Sequence, residues 1–320
     1  MTTLLAFITY VLVLQTPPTS QPQHPVNAAT LDVIAIQVAL DRAGFSSGVI
    51  DGRNGVNTRK AIEAFRSKDG RDVQPMPDPL IEYRITDADV AGPFAPSIPR
   101  DLVEQSKLPA LNYSSVEEAI AERFHTTPEL LRRLNPAATF AAGQALTVPN
   151  VEPMQVPAAT TTVEPSTAAS KSKPVGTSGR PDRPNVVITV SRSQSALSVV
   201  DNGSAVVFYA PVTTGSENDP LPIGEWKVTG VQYNPPFRYN PELFWDADPS
   251  HTKATIPPGP NGPVGVAWID ISKEHYGIHG TPEPSTIGRT TSHGCVRLTN
   301  WDVLKLASLV GPGTRVVFKE

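Results

Sequence analysis

The chain has 320 residues, enough for two or three domains that each bury a core. Its 27 basic and 31 acidic residues leave a net charge of −4, spread along the chain, so the basic stripe expected of a nucleic-acid binder is missing. Proline, at 34 residues, is roughly twice its usual share of about 5%, which points to extended connections.

Leu4 to Leu14 is an apolar run. It is shorter than the roughly 20 residues that span a bilayer and has the character of a signal-peptide core. Val26-Asn27-Ala28 supplies small residues near a cleavage point, although no Lys or Arg precedes the run. Residues 1–29 therefore read as a signal-like segment of a protein exported to the periplasm or cell wall; an N-terminal anchor that stays attached is the alternative.

In residues 30–70, Leu31, Ile34 and Val38, with Ala35 and Ala39, recur at helical spacing, and Gly44 is placed to end that helix. Gly48 to Gly55 is a turn; it lacks the spaced carboxylates of a calcium loop. Asn57 or Thr58 can cap a second helix with Ala61, Ile62 and Phe65 on one face. Gln37, Leu40, Gly44, Ile50-Asp51-Gly52, Gly55, Thr58, Ala61 and Phe65 together resemble the small three-helix peptidoglycan-binding domain. The resemblance implies an all-α domain that binds the wall or serves as a passive spacer.

Residues 71–108 form a proline-rich connection. Beyond it, Ser114 to Phe124 reads as a helix, with Ser115 and Glu118 as a capping box. Thr127 and Pro128 open a second helix whose apolar face is Leu130, Leu131 and Leu134, and Gly143 to Val148 is a closing strand. This pattern over 109–150 resembles the second half of a lysin motif, which implies an α+β module that takes glycan. His125, at the junction of the two helices, is read as structural. Residues 151–184 contain Ser, Thr, Ala and Pro in quantity and, up to Arg183, no aromatic residue, as a linker does. As a flexible coil it would span about 30 Å and let a tethered domain search neighbouring strands.

Residues 185–320 change to short strands: Val186–Val190, Ala196–Val200, a turn at Asp201-Asn202-Gly203 into Ala205–Tyr209, then 224–231, 264–269 and 314–318. One late helix, Trp301 to Val310, is capped by Thr299 or Asn300 and stopped by Gly311-Pro312. The domain is mainly antiparallel β. Its long segment Tyr233 to Pro263 carries Tyr233, Phe237, Tyr239, Phe244 and Trp245, and is either a lid or substrate wall or aromatics packed on the sheet.

Within that domain lies the only cysteine, Cys295, in Thr291-Ser292-His293-Gly294-Cys295-Val296-Arg297-Leu298, with His279 upstream in Tyr276-Gly277-Ile278-His279-Gly280-Thr281. Thiol acyl transfer needs a sulfur that can become thiolate, an imidazole to take its proton and donors for an oxyanion. Cys295, His279 and the backbone around Gly294 supply these types. A single cysteine excludes an intramolecular disulfide. Zinc is the rival use of His279, His293 and Cys295, but the His-Gly-Cys spacing makes two ligands awkward and no second cysteine exists.

His279-Gly280-Thr281 followed by Ser292-His293-Gly294-Cys295-Val296-Arg297 resembles the signature of the L,D-transpeptidases of bacterial peptidoglycan, over roughly residues 185 to 319. The resemblance implies Cys295 as nucleophile and His279 as base, paired as thiolate and imidazolium, with the carbonyl of Gly280 orienting the ring. It places His293 and Gly294 at the oxyanion hole with the Cys295 amide, and Ser292 in support of the loop. Arg297 is the candidate for a substrate carboxylate, with an ion pair holding the loop as its alternative. Ser292, Gly280 and Trp245 complete the expected substrate-binding set; His251 and His275 are expected to stand aside. No metal and no cofactor is implied. The expected partners are peptidoglycan stem peptides and glycan strands. Cys295 would attack the bond between diaminopimelate and D-alanine, and an amine on a neighbouring stem would resolve the thioester as a 3→3 cross-link. A lipoprotein lysine or water could replace that amine, and a wall-binding protein with a vestigial site is the reading from another class.

Overall fold

A computed structural model describes residues 26–157, 185–202 and 204–320. The signal-like run, most of the linker and Gly203 of the predicted hairpin lie outside these residues. The N-terminal part contains α1 (Ala28–Arg42), α2 (Val56–Asp69), β1 (Leu80–Arg84), α3 (Asp87–Val90), α4 (Leu102–Gln105), α5 (Val116–Arg123), α6 (Pro128–Leu134) and β2 (Ala145–Pro149). Asn27 caps α1 by accepting the Thr30 amide. Gly44, at φ +81°, turns the chain away after it, a conformation that costs glycine little.

Several local readings change. Two helices, not three, form the 30–70 region. Gly55 occupies the cap of α2, and Asn57 and Thr58 lie inside that helix with their side chains engaged elsewhere. Ser115 does cap α5 through the Glu118 amide, but the Glu118 carboxylate reaches Ser114 instead of closing a box on Ser115. The reciprocal box belongs to Thr86 and Asp89 at α3. Thr127 and Pro128 open α6 as expected.

The connection over 71–108 is not plain linker. Its β1 pairs antiparallel with β2, from Leu80 opposite Pro149 to Arg84 opposite Ala145. The unit around α5 and α6 therefore starts near residue 80, not 109, and is a strand–helices–strand unit. Proline density hid β1, whose prolines cluster just outside it. Nor is this unit separate from the first two helices: Ile34, Val38 and Ile50 share one core with Ile120, Phe124, Leu130, Leu131, Leu134, Leu146 and Val148.

The C-terminal part contains β3 (Val187–Ser191), β4 (Ala196–Val200), β5 (Val206–Pro211), β6 (Gly224–Tyr233), β7 (Phe237–Tyr239), β8 (Ala254–Ile256), β9 (Ala267–Ile271), β10 (Gly277–His279), β11 (Val296–Arg297), α7 (Asn300–Leu309) and β12 (Arg315–Lys319). Eight of these strands form one sheet in the order β11-β10-β9-β6-β12-β3-β4-β5. Its pairings are antiparallel except β10–β11 and β3–β12. Period-two alternation buries Ile188, Val190, Leu197, Val199, Val316 and Phe318 in a core that also takes Val303, Leu306 and Ala307 of α7, which packs over β9 and β10, and Val310 just after it. Thr299 caps α7. The long segment 233–263 is not an open loop; β7 and β8 make a small hairpin of their own.

The two parts pack directly on each other, in contrast to the tethered arrangement expected from the linker. Residues 44–46 pair with the edge strand β5, through the Tyr209 amide to the Gly44 carbonyl (2.9 Å) and the Ser46 amide to the Tyr209 carbonyl (2.8 Å). An otherwise open sheet edge is thereby closed. Phe45 stacks on Tyr209, with Leu40, Ala61 and Ala196 around it. The Ser46 hydroxyl donates to Asp302 at 2.8 Å, Asn300 donates to Glu122 at 2.8 Å, and His125 stacks on Trp301 while bonding Asp41. Helical periodicity marks which face of α1 is buried, but not that part of it meets a second domain.

Candidate active site

The site lies at the β10–β11 end of the sheet. These strands run parallel, with Ile278 opposite Val296 and His279 opposite Arg297. Alternation puts His279 and Arg297 on one face, and Cys295, two residues before Arg297, on the same face. The Gly277 amide N–H points at the Cys295 sulfur, and the His275 carbonyl lies 3.9 Å from it. Residue 277 has to be glycine, because a Cβ there would sit 2.3 Å from the Trp268 ring.

His279 is buried, at 4% exposure, and its ring stacks on Trp268 at 5.3 Å. Its Nδ1–H donates to the Gly280 carbonyl at 2.7 Å, which leaves Nε2 as the unprotonated nitrogen. Burial first, then the charge of Arg297, pushes this histidine down to about 3, against the pull of the Gly280 carbonyl. Burial also pushes the Cys295 thiol up, despite the Gly277 amide and Arg297. Both shifts work against the thiolate–imidazolium pair that the resemblance implies, because desolvation outweighs the favourable contacts.

Gly294 has φ +97°, and a Cβ on it would lie 2.5 Å from the Tyr276 ring, so the turn before Cys295 depends on glycine. Ser292 is 3% exposed and donates to the Cys295 carbonyl at 2.6 Å. It braces the loop and offers no surface to a substrate, a correction to the expected binding set. Gly280 is corrected likewise: it is buried, its carbonyl orients His279, and a Cβ would come within 2.1 Å of the Asn300 Oδ1. Thr213 holds Arg297 through two backbone bonds, and the Thr214 carbonyl accepts the Ser292 amide.

The Arg297 guanidinium forms no ion pair among the described residues, and its buried Nε has no hydrogen-bond partner. The alternative of an ion pair holding the loop is thus not what the structure shows. The His293 ring turns outward: its Nε2–H donates to Asp246 at 2.8 Å, and Phe244 meets it edge-on at 5.0 Å. Trp245, 62% exposed, lies 6.3 Å from the same ring. Among the described residues, no group of three or more His, Cys, Asp or Glu is placed to hold a metal ion. Tyr276, Trp268, Gly277 and Asp246 were missed from the sequence. Only Tyr276 and Gly277, adjoining the His279 motif, carried any signal there.

The sequence pattern of the YkuD L,D-transpeptidase catalytic domain matches residues 185–318. Over 202 residues the chain is 31% identical to "Putative L,D-transpeptidase YkuD" of Bacillus licheniformis, covering 62% of this chain and 90% of that protein. The chain belongs to the YkuD family of L,D-transpeptidases. A second pattern, "Putative peptidoglycan binding domain", matches residues 30–73. A more distant member, "Probable L,D-transpeptidase YbiS" of Escherichia coli K12, is 32% identical over 143 residues, 43% of this chain and 46% of its own. Among solved structures, an L,D-transpeptidase from Mycobacterium smegmatis overlaps 43% of this chain and 59% of its own, at 18% identity and a TM-score of 0.35. Within this YkuD-family chain, the matched catalytic region contains every residue of the site just described. Among the described residues, no helix is long and apolar enough to cross a membrane.

Proposed function

We propose that this chain is an exported cysteine L,D-transpeptidase that forms 3→3 cross-links in peptidoglycan. The observation that carries the reading is the placement of Cys295 directly before β11 and of His279 on the adjacent β10, opposite Arg297, with the imidazole locked so that Nε2 can accept a proton. As the Cys295 sulfur attacks the diaminopimelate carbonyl, the thiol proton passes to His279 Nε2. The backbone N–H groups of Gly294 and Cys295 receive the oxyanion. Collapse breaks the C–N bond, the imidazolium returns its proton to the departing D-alanine amine, and a thioester remains. An amine of a neighbouring stem then attacks the thioester and restores the thiol. Arg297, charged and without an ion-pair partner, is suited to a substrate carboxylate. Trp245 offers an exposed aromatic wall beside the loop. The peptidoglycan-binding region at 30–73 and the strand–helices–strand unit after it are proposed to hold the glycan.

A strained β-lactam should trap the site, because ring opening leaves a thioester on Cys295. Incubation with a carbapenem should add one drug mass to the peptide containing Cys295, and Cys295→Ser should lose most of it. An adduct on Cys295→Ala, or none on the wild type with its thiol reduced, would overturn the reading.

A further inference from the structure

Residues 93–111 leave the strand–helices–strand unit and lie against the β7–β8 hairpin. Leu102, Val103 and Leu108 pack with Leu111 on Tyr239 and Ile256. Leu111 is bonded on both sides, its amide to the Pro258 carbonyl at 3.0 Å and its carbonyl to the Asn261 amide at 2.9 Å. Over this apolar seam sits His251, expected from residue types to stand aside from the chemistry. Its Nε2–H donates to the Asp101 carboxylate at 2.9 Å, so its Nδ1 accepts from the Tyr239 hydroxyl at 2.9 Å. Both ring nitrogens are therefore used, and they join segments 150 residues apart in sequence.

From Tyr239 the contacts run on to the nucleophile loop. The Tyr239 ring lies 5.4 Å from Phe244, Phe244 meets His293 edge-on at 5.0 Å, and the neighbouring Asp246 holds the His293 Nε2–H at 2.8 Å. His293 stands two residues before Cys295. We propose that Asp101 and His251 are positioning residues: through this clasp the N-terminal part sets the hairpin, and the hairpin sets His293 and the loop that presents Cys295. The inference rests on the transpeptidase reading and extends it. The Leu111 bonds fix the chain just after β8; the two directional bonds at the imidazole tie down the segment between β7 and β8 and the β7 end that faces Phe244. Misplacement of reacting atoms by about 1 Å can cost as much as about a hundredfold in rate, so a partial loss is expected here.

The test uses the full chain and D-alanine release from a stem tetrapeptide. His251→Phe keeps the ring and removes both bonds. Asp101→Ser keeps the cap that Asp101 gives α4 through the Glu104 amide but is too short to reach His251. Asp101→Asn still accepts from Nε2–H. The first two should lower kcat about tenfold with KM within about twofold, while Asp101→Asn stays within about twofold of wild type. The His251→Phe, Asp246→Ala double variant should be no slower than the slower single, since both cut one chain of contacts. Wild-type kcat in His251→Phe, or losses that multiply in the double variant, would overturn the proposal. If the wild type releases no D-alanine, the transpeptidase reading fails. The clasp is then read by iodoacetamide alkylation of Cys295, which should shift at least about threefold in His251→Phe, and an unchanged rate overturns it.

Discussion

Two partly buried arginines serve different ends. Arg123, on α5, donates to Asp89 at 2.5 Å and to the Tyr83 hydroxyl at 2.8 Å. Asp89 in turn accepts from Tyr83 and from the Thr86 amide and hydroxyl. Against the upward push of burial, these bonds hold Asp89 down at about 2, and they raise Arg123 although burial works against its charge. Arg297 has burial without the compensation. Its pKa is lowered, its Nε has no partner, and the groups that favour its charge are Cys295 and Glu283 at longer range. A buried charge without an ion-pair partner among the described residues is what the proposed role of Arg297 towards a substrate carboxylate requires. The paired arginine supports the fold, and the unpaired one is proposed to meet the substrate.

The largest expected effect tests that division. Arg123→Ala leaves Asp89 buried without its cation and should cost about 3 kcal/mol, the low end for a broken buried pair because Arg123 is a third exposed. Arg297→Ala should cost stability nothing, yet lower kcat/KM for a tetrapeptide about tenfold or more through lost charge-assisted hydrogen bonds. Urea unfolding and D-alanine release measure the two. Equal destabilisation by both substitutions would end the distinction.

Next comes the imidazole that Arg297 faces. His279→Ala should slow D-alanine release about a hundredfold or more, the usual contribution of a positioned base. The burial of the thiol adds a sharper expectation. Alkylation of Cys295 by iodoacetamide should reach half its limiting rate at a pH above the ordinary thiol range, because burial raises that thiol. A midpoint below the ordinary range would restore the ion pair that the motif alone suggested.

A third test contrasts the site with the interface between the two parts. Burial raises Asp302 to about 7, with Asp41 adding to the rise while Thr299, Ser46 and His125 oppose it. Between the unfolded value near 4 and the folded value, the folded chain keeps a proton that the unfolded chain has released. Stability from Asp302 therefore falls as pH rises from about 4 to about 7 and levels off above that. His279 acts in the opposite sense: its folded value of about 3 lies below the unfolded 6.5, so its contribution is lost as pH falls from 6.5 towards 3. Asp302→Asn should gain on the wild type between pH 4.5 and pH 8 by at least about 1.4 kcal/mol, the equivalent of one pKa unit. A difference that does not change with pH would place the ionised carboxylate in the interface without penalty.

The motif residues were legible because chemistry constrains them locally: a thiol, an imidazole and two glycines at fixed spacing. Six of the eight strands of the C-terminal sheet were legible to within a few residues, but not β10 and β11, which are only three and two residues long. β1 was not, because Leu80–Arg84 is short and sits among prolines, and its partner β2 lies some sixty residues on. Nor were the contacts of Asp246 and His251, which depend on how one segment folds over another. Ser292 and Gly280 were expected both to support the site and to contact substrate; their burial and partners show the supporting contacts, to the Cys295 carbonyl and the His279 ring, and leave no surface for the second role. Arg297 stood out as the candidate for a substrate carboxylate, yet that its buried Nε lacks a partner among the described residues can be seen only in three dimensions.

The smallest effect concerns the helix that carries Arg123. Ser115 caps α5 by accepting the Glu118 amide at 3.1 Å, while Glu118 reaches past it to the amide and hydroxyl of Ser114. Ser115→Ala removes the side-chain acceptor of the Glu118 amide and should cost about 1 kcal/mol. Ser114→Ala removes one hydroxyl but leaves the amide bond to Glu118, so it should cost less than half as much. Neither should change kcat, because the bonds removed lie within the first turn of α5. Urea unfolding of the two variants decides the order. If Ser114→Ala proves the more costly, Glu118 and not the Ser115 cap secures the start of α5, and the Arg123 network depends on that carboxylate instead.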